Sequence, residues 1–233
     1  MAKWTAEQFT NELSSILGPG LVSVILYGSR AAGDHLEERS DTNLLALVKK
    51  LDVPHLKRMS KVVTQWVKQG NQPPLLLTPD HLHEYVNVFP LEISDIQQNH
   101  YLLYGVDPFP DLKVSHDYLR QELEHELQGK LLQLKTRYLL TGGRDKKVVE
   151  LMTQSLSTFL VLLKNALWLY GEKPPLKKME AAQKLGERLG LKTDVFGTIG
   201  LLKQGEKIPN LDISALFETY LETLESFVDK IDV

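Results

Sequence analysis

Two short apolar runs, Leu21–Tyr27 (LVSVILY) and Asn43–Val48 (NLLALV), constrain this chain more than anything else in it. Each is too short for a typical helix. The first is rich in β-branched residues, so both are expected to be buried strands. The flanking segments follow a helical period. Trp4–Leu17 places apolar residues at Trp4, Phe9, Leu13, Ile16 and Leu17, and Gly18-Pro19-Gly20 stops it. Pro54–Lys68 is helical again, with Pro54 suited to a first turn. Pro74–Thr78 suggests a third strand, Pro79–Val86 a short helix, and Phe89–Ile96 (FPLEISDI) a fourth strand. This half is expected to hold a small mixed sheet with helices around it.

From Ser115 the grammar changes. Ser115–Thr141 carries apolar residues at Tyr118, Leu119, Leu123, Leu127, Leu131, Leu134 and Tyr138, steps of three and four that specify one long amphipathic helix. Ser115 suits its N-cap and Gly142-Gly143 its end. Asp145–Tyr170 is a second long helix, apolar on most faces over Leu156–Leu169 and therefore central. Lys178–Leu189, Asp194–Leu202 and Asp212–Val228 complete a bundle of about five helices. The expected fold class is α+β, a small mixed β-sheet domain over residues 1–112 followed by an all-α helical bundle over 113–233.

Composition excludes several functions. The 233 residues are 42% hydrophobic and 24% charged, an ordinary globular balance. The formal net charge of -3 argues against general nucleic-acid binding, which needs a basic excess. With no cysteine, thiolate metal sites, a Cys nucleophile and disulfides are excluded. The apolar runs fall well short of the about 20 residues that span a bilayer. The opening Met1-Ala2-Lys3-Trp4-Thr5 lacks the pattern of a signal peptide. A soluble cytoplasmic protein is expected, and apolar surface beyond what five short helices need is compatible with a homodimer.

Chemistry concentrates in Val24–Val48 (VILYGSRAAGDHLEERSDTNLLALV). A buried strand runs into Gly28-Ser29, where a missing side chain lets a ligand approach the backbone. Residues opening a helix there would point amide donors at it, an arrangement that suits phosphate. Arg30 is placed either to reach that phosphate or to sit exposed at the helix start. Ser40 is placed either to bind phosphate or to cap the loop. Asp41 and Asn43 lie two apart at the start of the second strand, so they face the same way and offer two oxygens at the edge of the phosphate site. Mg²⁺ prefers few protein oxygens beside a polyphosphate.

The strand, Gly28-Ser29 turn, Ser40-Asp41-Thr42-Asn43 and second strand resemble the DNA polymerase β-type nucleotidyltransferase superfamily. Within it, the chain is most similar to small bacterial nucleotidyltransferase-domain proteins with a C-terminal helical bundle, in the architecture of aminoglycoside nucleotidyltransferases. The resemblance is specific over Val22–Val48 and looser over Phe89–Gly105. It implies that Gly28 and Ser29 hold nucleotide phosphates, that Asp41 binds metal, and that a third carboxylate, Glu92 or its competitor Asp95, completes the set. The implied reaction moves a nucleoside monophosphate from a nucleoside triphosphate, ATP first among candidates, to a hydroxyl of a small molecule or protein, with Mg²⁺. The family has a second carboxylate where this chain has Asn43, a ligand oxygen without charge. A two-metal site needs several anionic ligands, so the neutral residue weakens at least one metal.

Alternation along a strand would put Glu92 with Ser94 opposite the apolar Leu91 and Ile93, which selects Glu92 over Asp95. The first alternative function is a nucleotide- or partner-binding module without turnover. The second is a helical-domain ribonuclease, or the antitoxin-like partner of one. It rests on Arg120 and His125, whose spacing resembles the R-x4-6-H motif of HEPN-type ribonucleases. His81 and His83, two apart on a short helix, face away from each other and are expected at the surface.

Overall fold

The computed structural model describes residues 3–28, 42–175 and 177–231. They form two compact units, Met1–Ser115 and His116–Val233. The first holds a four-stranded mixed sheet and the second is helical, an α+β architecture.

In the N-terminal unit the strands are β1 (Leu21–Tyr27), β2 (Asn43–Val48), β3 (Leu75–Leu77) and β4 (His100–Gly105), in the spatial order β3-β2-β1-β4. β1 pairs antiparallel with β2 and β4, and β2 pairs parallel with β3. Helices α1 (Ala6–Leu17) and α2 (Val53–Val67) cover one face. Phe9, Leu13, Met59 and Trp66 pack there on Val24, Leu44 and Ala46. Helices α3 (Pro79–Val88) and α4 (Pro90–Gln98) cover the other, with Leu82, Val86, Ile93 and Ile96 packed on Ile25, Leu45 and Leu47. A sheet covered on both faces needs strands apolar on both, which is why β1 and β2 read as nearly unbroken hydrophobic runs. Helix starts are set locally. Thr5 and Gln8 form a reciprocal capping box, and the Asp52 and Thr78 side chains accept from the amides of His55 and His81.

Phe89–Ile96 is not the expected strand. It is the start of α4, which has Pro90 in its first turn and buries Pro90, Leu91, Ile93, Ser94 and Ile96. Leu91 and Ile93 fit an alternating pattern because a helix with a broad buried face also covers positions two apart. Proline at a first helical position, where its missing N–H costs nothing, decides for the helix. The fourth strand lies instead at His100–Gly105, with its register shifted between the pairs Val24–Tyr104 and Ile25–Leu102.

The helical unit contains, among the described residues, α5 (His116–Thr141), α6 (Asp145–Ala166), α7 (Lys178–Leu189), α8 (Asp194–Lys203) and α9 (Ile213–Ile231). α6 ends at Ala166, earlier than expected, and Leu167–Tyr170 continues as a 3-10 turn. It touches the other four helices, with Met152, Phe159, Leu163 and Ala166 fully buried. Tyr220 of α9 meets Phe159 and Phe196 edge-on, and its hydroxyl lies 3.1 Å from Ser155 Oγ. No described helix is long and apolar enough to cross a membrane.

Candidate functional site

The site is built where β1 ends. Antiparallel pairing places Tyr27 between Asn43 of β2 and His100 of β4. Tyr27 packs with the core beneath α3 and α4, on the face that also carries Ile25, Leu45 and Leu47. Directly paired residues share a face, so three polar side chains from three strands gather at one end of the sheet.

Gly28 follows with φ 82°, a left-handed value open to glycine and strained for other residues. A Cβ placed on it would lie 3.0 Å from the Asn43 amide nitrogen. The bare backbone of Gly28 therefore sits directly beside Asn43, and a side chain at 28 would fill that space. The two ends of an amide side chain are interchangeable by a flip, so Asn43 can present either its oxygen or its NH₂ there.

Asp95 of α4 is a carboxylate close enough to this end of the sheet to act on Tyr27. Its charge, after the larger effect of burial, raises the Tyr27 phenol above the usual tyrosine range. Glu92, one turn earlier on the same helix, is exposed. The alternation that selected it does not apply to a helix, so the strand placement of Glu92 is corrected. Behind these residues His100 bridges two acceptors, the Gln97 carbonyl at 3.0 Å from Nδ1 and the Asp107 carboxylate at 3.1 Å from Nε2. Asp107 also accepts from the Phe109 amide, and Gln97 donates to the carbonyls of Phe109 and Leu112. These bonds tie β4 and α4 to the return segment that seals the core with Phe109 and Leu112.

No protein-family model matches the chain. Over 73 residues, 31% of this chain and 71% of the other protein, it is 36% identical to a Methanocaldococcus jannaschii protein named as a protein adenylyltransferase. The chain belongs to a nucleotidyltransferase-type family.

Of the nucleotidyltransferase residues expected from sequence, Gly28 and Asn43 are adjacent. Ser29, Arg30, Ser40 and Asp41 lie outside the described residues. Among the described residues no three His, Asp or Glu side chains cluster closely enough to hold a metal. Tyr27, His100 and Asp107 were not anticipated. Only Tyr27 carried a signal, as the last residue before the Gly28 turn. His81 and His83 are exposed on α3. α5 runs unbroken through Arg120 and His125, both exposed, which puts them about 140° apart around the helix. One copy of this helix does not converge them.

The Tyr27 environment is measurable through phenolate absorbance, read as the difference between the wild type and Tyr27→Phe. Asp95→Asn is expected to lower the Tyr27 pKa while leaving it above about 10, because burial is the larger cause. An unchanged pKa would mean that Asp95 does not face Tyr27. Burial also raises the Tyr220 pKa. For both phenols the folded value exceeds the unfolded one. The stability they contribute is complete below pH of about 10 and is lost as pH climbs through the folded values.

Proposed function

We propose that this protein is a nucleotidyltransferase that moves a nucleoside monophosphate from a nucleoside triphosphate to a hydroxyl of a small molecule or protein, releasing pyrophosphate. The observation that carries the reading is the left-handed Gly28 at the end of β1, with Asn43 beside it. The archaeal relative's name favours ATP as donor and extends the acceptor class to proteins. The backbone at Gly28, with Ser29, Arg30 and Ser40 following in sequence, would hold the phosphates. The donors suit a hard cation: an amide oxygen from Asn43, a carboxylate from Asp41 two residues earlier, and Asp95 as the third candidate. Asp95 takes precedence over Glu92 because it is the one that reaches Tyr27. Mg²⁺ bound there would neutralise charge on the phosphate oxygens. The chain itself positions the nucleotide and supplies fixed dipoles, which carry most of the work in phosphoryl chemistry.

One observation favours a second reading. The residue beside Gly28 is neutral, and a binding module without turnover needs no charge there. Asn43→Asp separates the two when pyrophosphate release is followed with ATP, CTP, GTP and UTP, with and without Mg²⁺. For a working enzyme, wild-type turnover is Mg²⁺-dependent and the substitution changes it by less than about tenfold, one ligand charge being worth about 1.4 kcal/mol or less in a partly solvated site. Turnover absent in the wild type and restored in the variant would establish the binding module.

A further inference from the structure

We propose a second ligand site in the helical unit, a groove between α5 and α6 that binds a phosphate group. It does not depend on the nucleotide site. The groove encloses a cavity of about 90 Å³. On one wall Lys130, Gln133 and Arg137 recur at three- and four-residue spacing on one face of α5, and on the other stand Ser155 and Thr158 of α6. Leu134 and Phe159, both buried, form the floor.

What distinguishes this groove from a solvated face is how many of its donors are uncommitted. Among the described residues, the Arg137 and Gln133 side chains make no hydrogen bond or ion pair, and the Lys130 ammonium has only a 3.6 Å contact to Glu126. Serine and threonine hydroxyls inside helices ordinarily bond back to the preceding turn. In this unit Thr136, Thr141, Thr153, Thr198, Thr219 and Thr223 all do. Thr158 does not, which leaves its hydroxyl available to the groove. Glu126 contacts Lys130 and Glu150 accepts from the Gln154 amide, so Gln154, also in the lining, is committed. Among the described residues, two cations and no carboxylate line the cavity.

The chemistry selects an oxyanion. A guanidinium presents a planar fork to two oxygens, and an ammonium, an amide and the Thr158 hydroxyl can approach from other directions, while the Ser155 hydroxyl is held by the Met152 carbonyl and Tyr220. Donors arriving out of one plane match the tetrahedral phosphate better than a flat carboxylate. The small volume admits the phosphate group and leaves any attached molecule outside.

The test is a titration of the full chain with inorganic phosphate, followed through backbone amide shifts, and in parallel with O-phosphoserine and acetate. Saturable shifts centred on Gln133, Arg137 and Thr158 are expected, with acetate weaker. Arg137→Gln should weaken binding about tenfold or more, the worth of one charge-assisted contact. Arg137→Lys should weaken it less, since it keeps the charge and loses the fork. Arg137 is exposed, so these variants should unfold at the wild-type temperature. Equal affinity for both phosphates means that the group is read on a larger molecule, and binding of inorganic phosphate alone assigns the groove to the free ion. Shifts confined to the N-terminal unit, or an affinity unchanged in Arg137→Gln, would overturn the proposal.

Discussion

Asp41→Ala is expected to lower Mg²⁺-dependent turnover by at least about a hundredfold and to remove the Mg²⁺ dependence of nucleotide binding, measured by calorimetry with ATP. With Asn43 neutral, Asp41 is the carboxylate that the motif places nearest the triphosphate, so no equivalent charge beside it shares the load. Loss of a group that stabilises charge developing at phosphorus costs on the order of 3 kcal/mol, and each 1.4 kcal/mol is a factor of ten in rate. Two further substitutions separate the third-carboxylate candidates. Asp95→Asn should reduce turnover, because Asp95 reaches Tyr27 at the end of β1. Glu92→Gln, on the exposed side of α4, should leave it within about twofold. Nucleotide binding indifferent to Asp41→Ala, with or without Mg²⁺, would remove the metal from the mechanism. No nucleotide binding in the wild type would reduce Gly28 to a plain turn.

Much of this architecture was legible in the sequence where one physical constraint dominated. β1 and β2 are buried on both faces, so their composition alone marks them as strands. α5 and α7 have a single core-facing stripe and glycine just after their ends, and their bounds follow from that. Failure came where two periods fit the same residues. Leu91 and Ile93 satisfy a strand or a broadly buried helix, and only the position of Pro90 tells them apart. β4 hid for the opposite reason. It is a partly exposed edge strand whose register shift near Leu103 breaks alternation, so HYLLYG has no clean period of two. The contact of Asn43 with Gly28 could be anticipated, since strand pairing brings the start of β2 to the end of β1. The approach of Asp95 to Tyr27 and the His100–Asp107 pair could not. They depend on how α4 packs under the sheet and how the chain returns through Phe109, and neither leaves a local pattern.

That return makes β4 a support of the site, and Gly105→Ala should expose the dependence. Gly105 ends β4 at φ 81°, and a Cβ there would lie 1.9 Å from the Val22 carbonyl oxygen, 2.9 Å from its carbon and 3.1 Å from Ser23 Cα. Every one of those atoms is backbone of β1, a strand held between β2 and β4, so no side chain can rotate aside to relieve the clash. Val22 also sits at the register shift between β1 and β2, where the strand is already bent away from ideal pairing. Left-handed strain and a backbone collision together should destabilise the N-terminal unit by roughly 3 kcal/mol or more, a fall in Tm of more than about 10 °C. Gly20→Ala is the matched control. It meets nothing within 4 Å and has no left-handed φ, so it should be neutral or stabilising by up to about 1 kcal/mol. Because β4 carries His100 across from Tyr27, any Gly105→Ala protein that remains folded should also bind nucleotide more weakly, although Gly105 lies at the far end of β1 from Gly28. A variant with wild-type Tm would show that β4 can slide off Val22 without cost. One with reduced Tm and unchanged nucleotide affinity would show that the Gly28 turn is held by β2 alone.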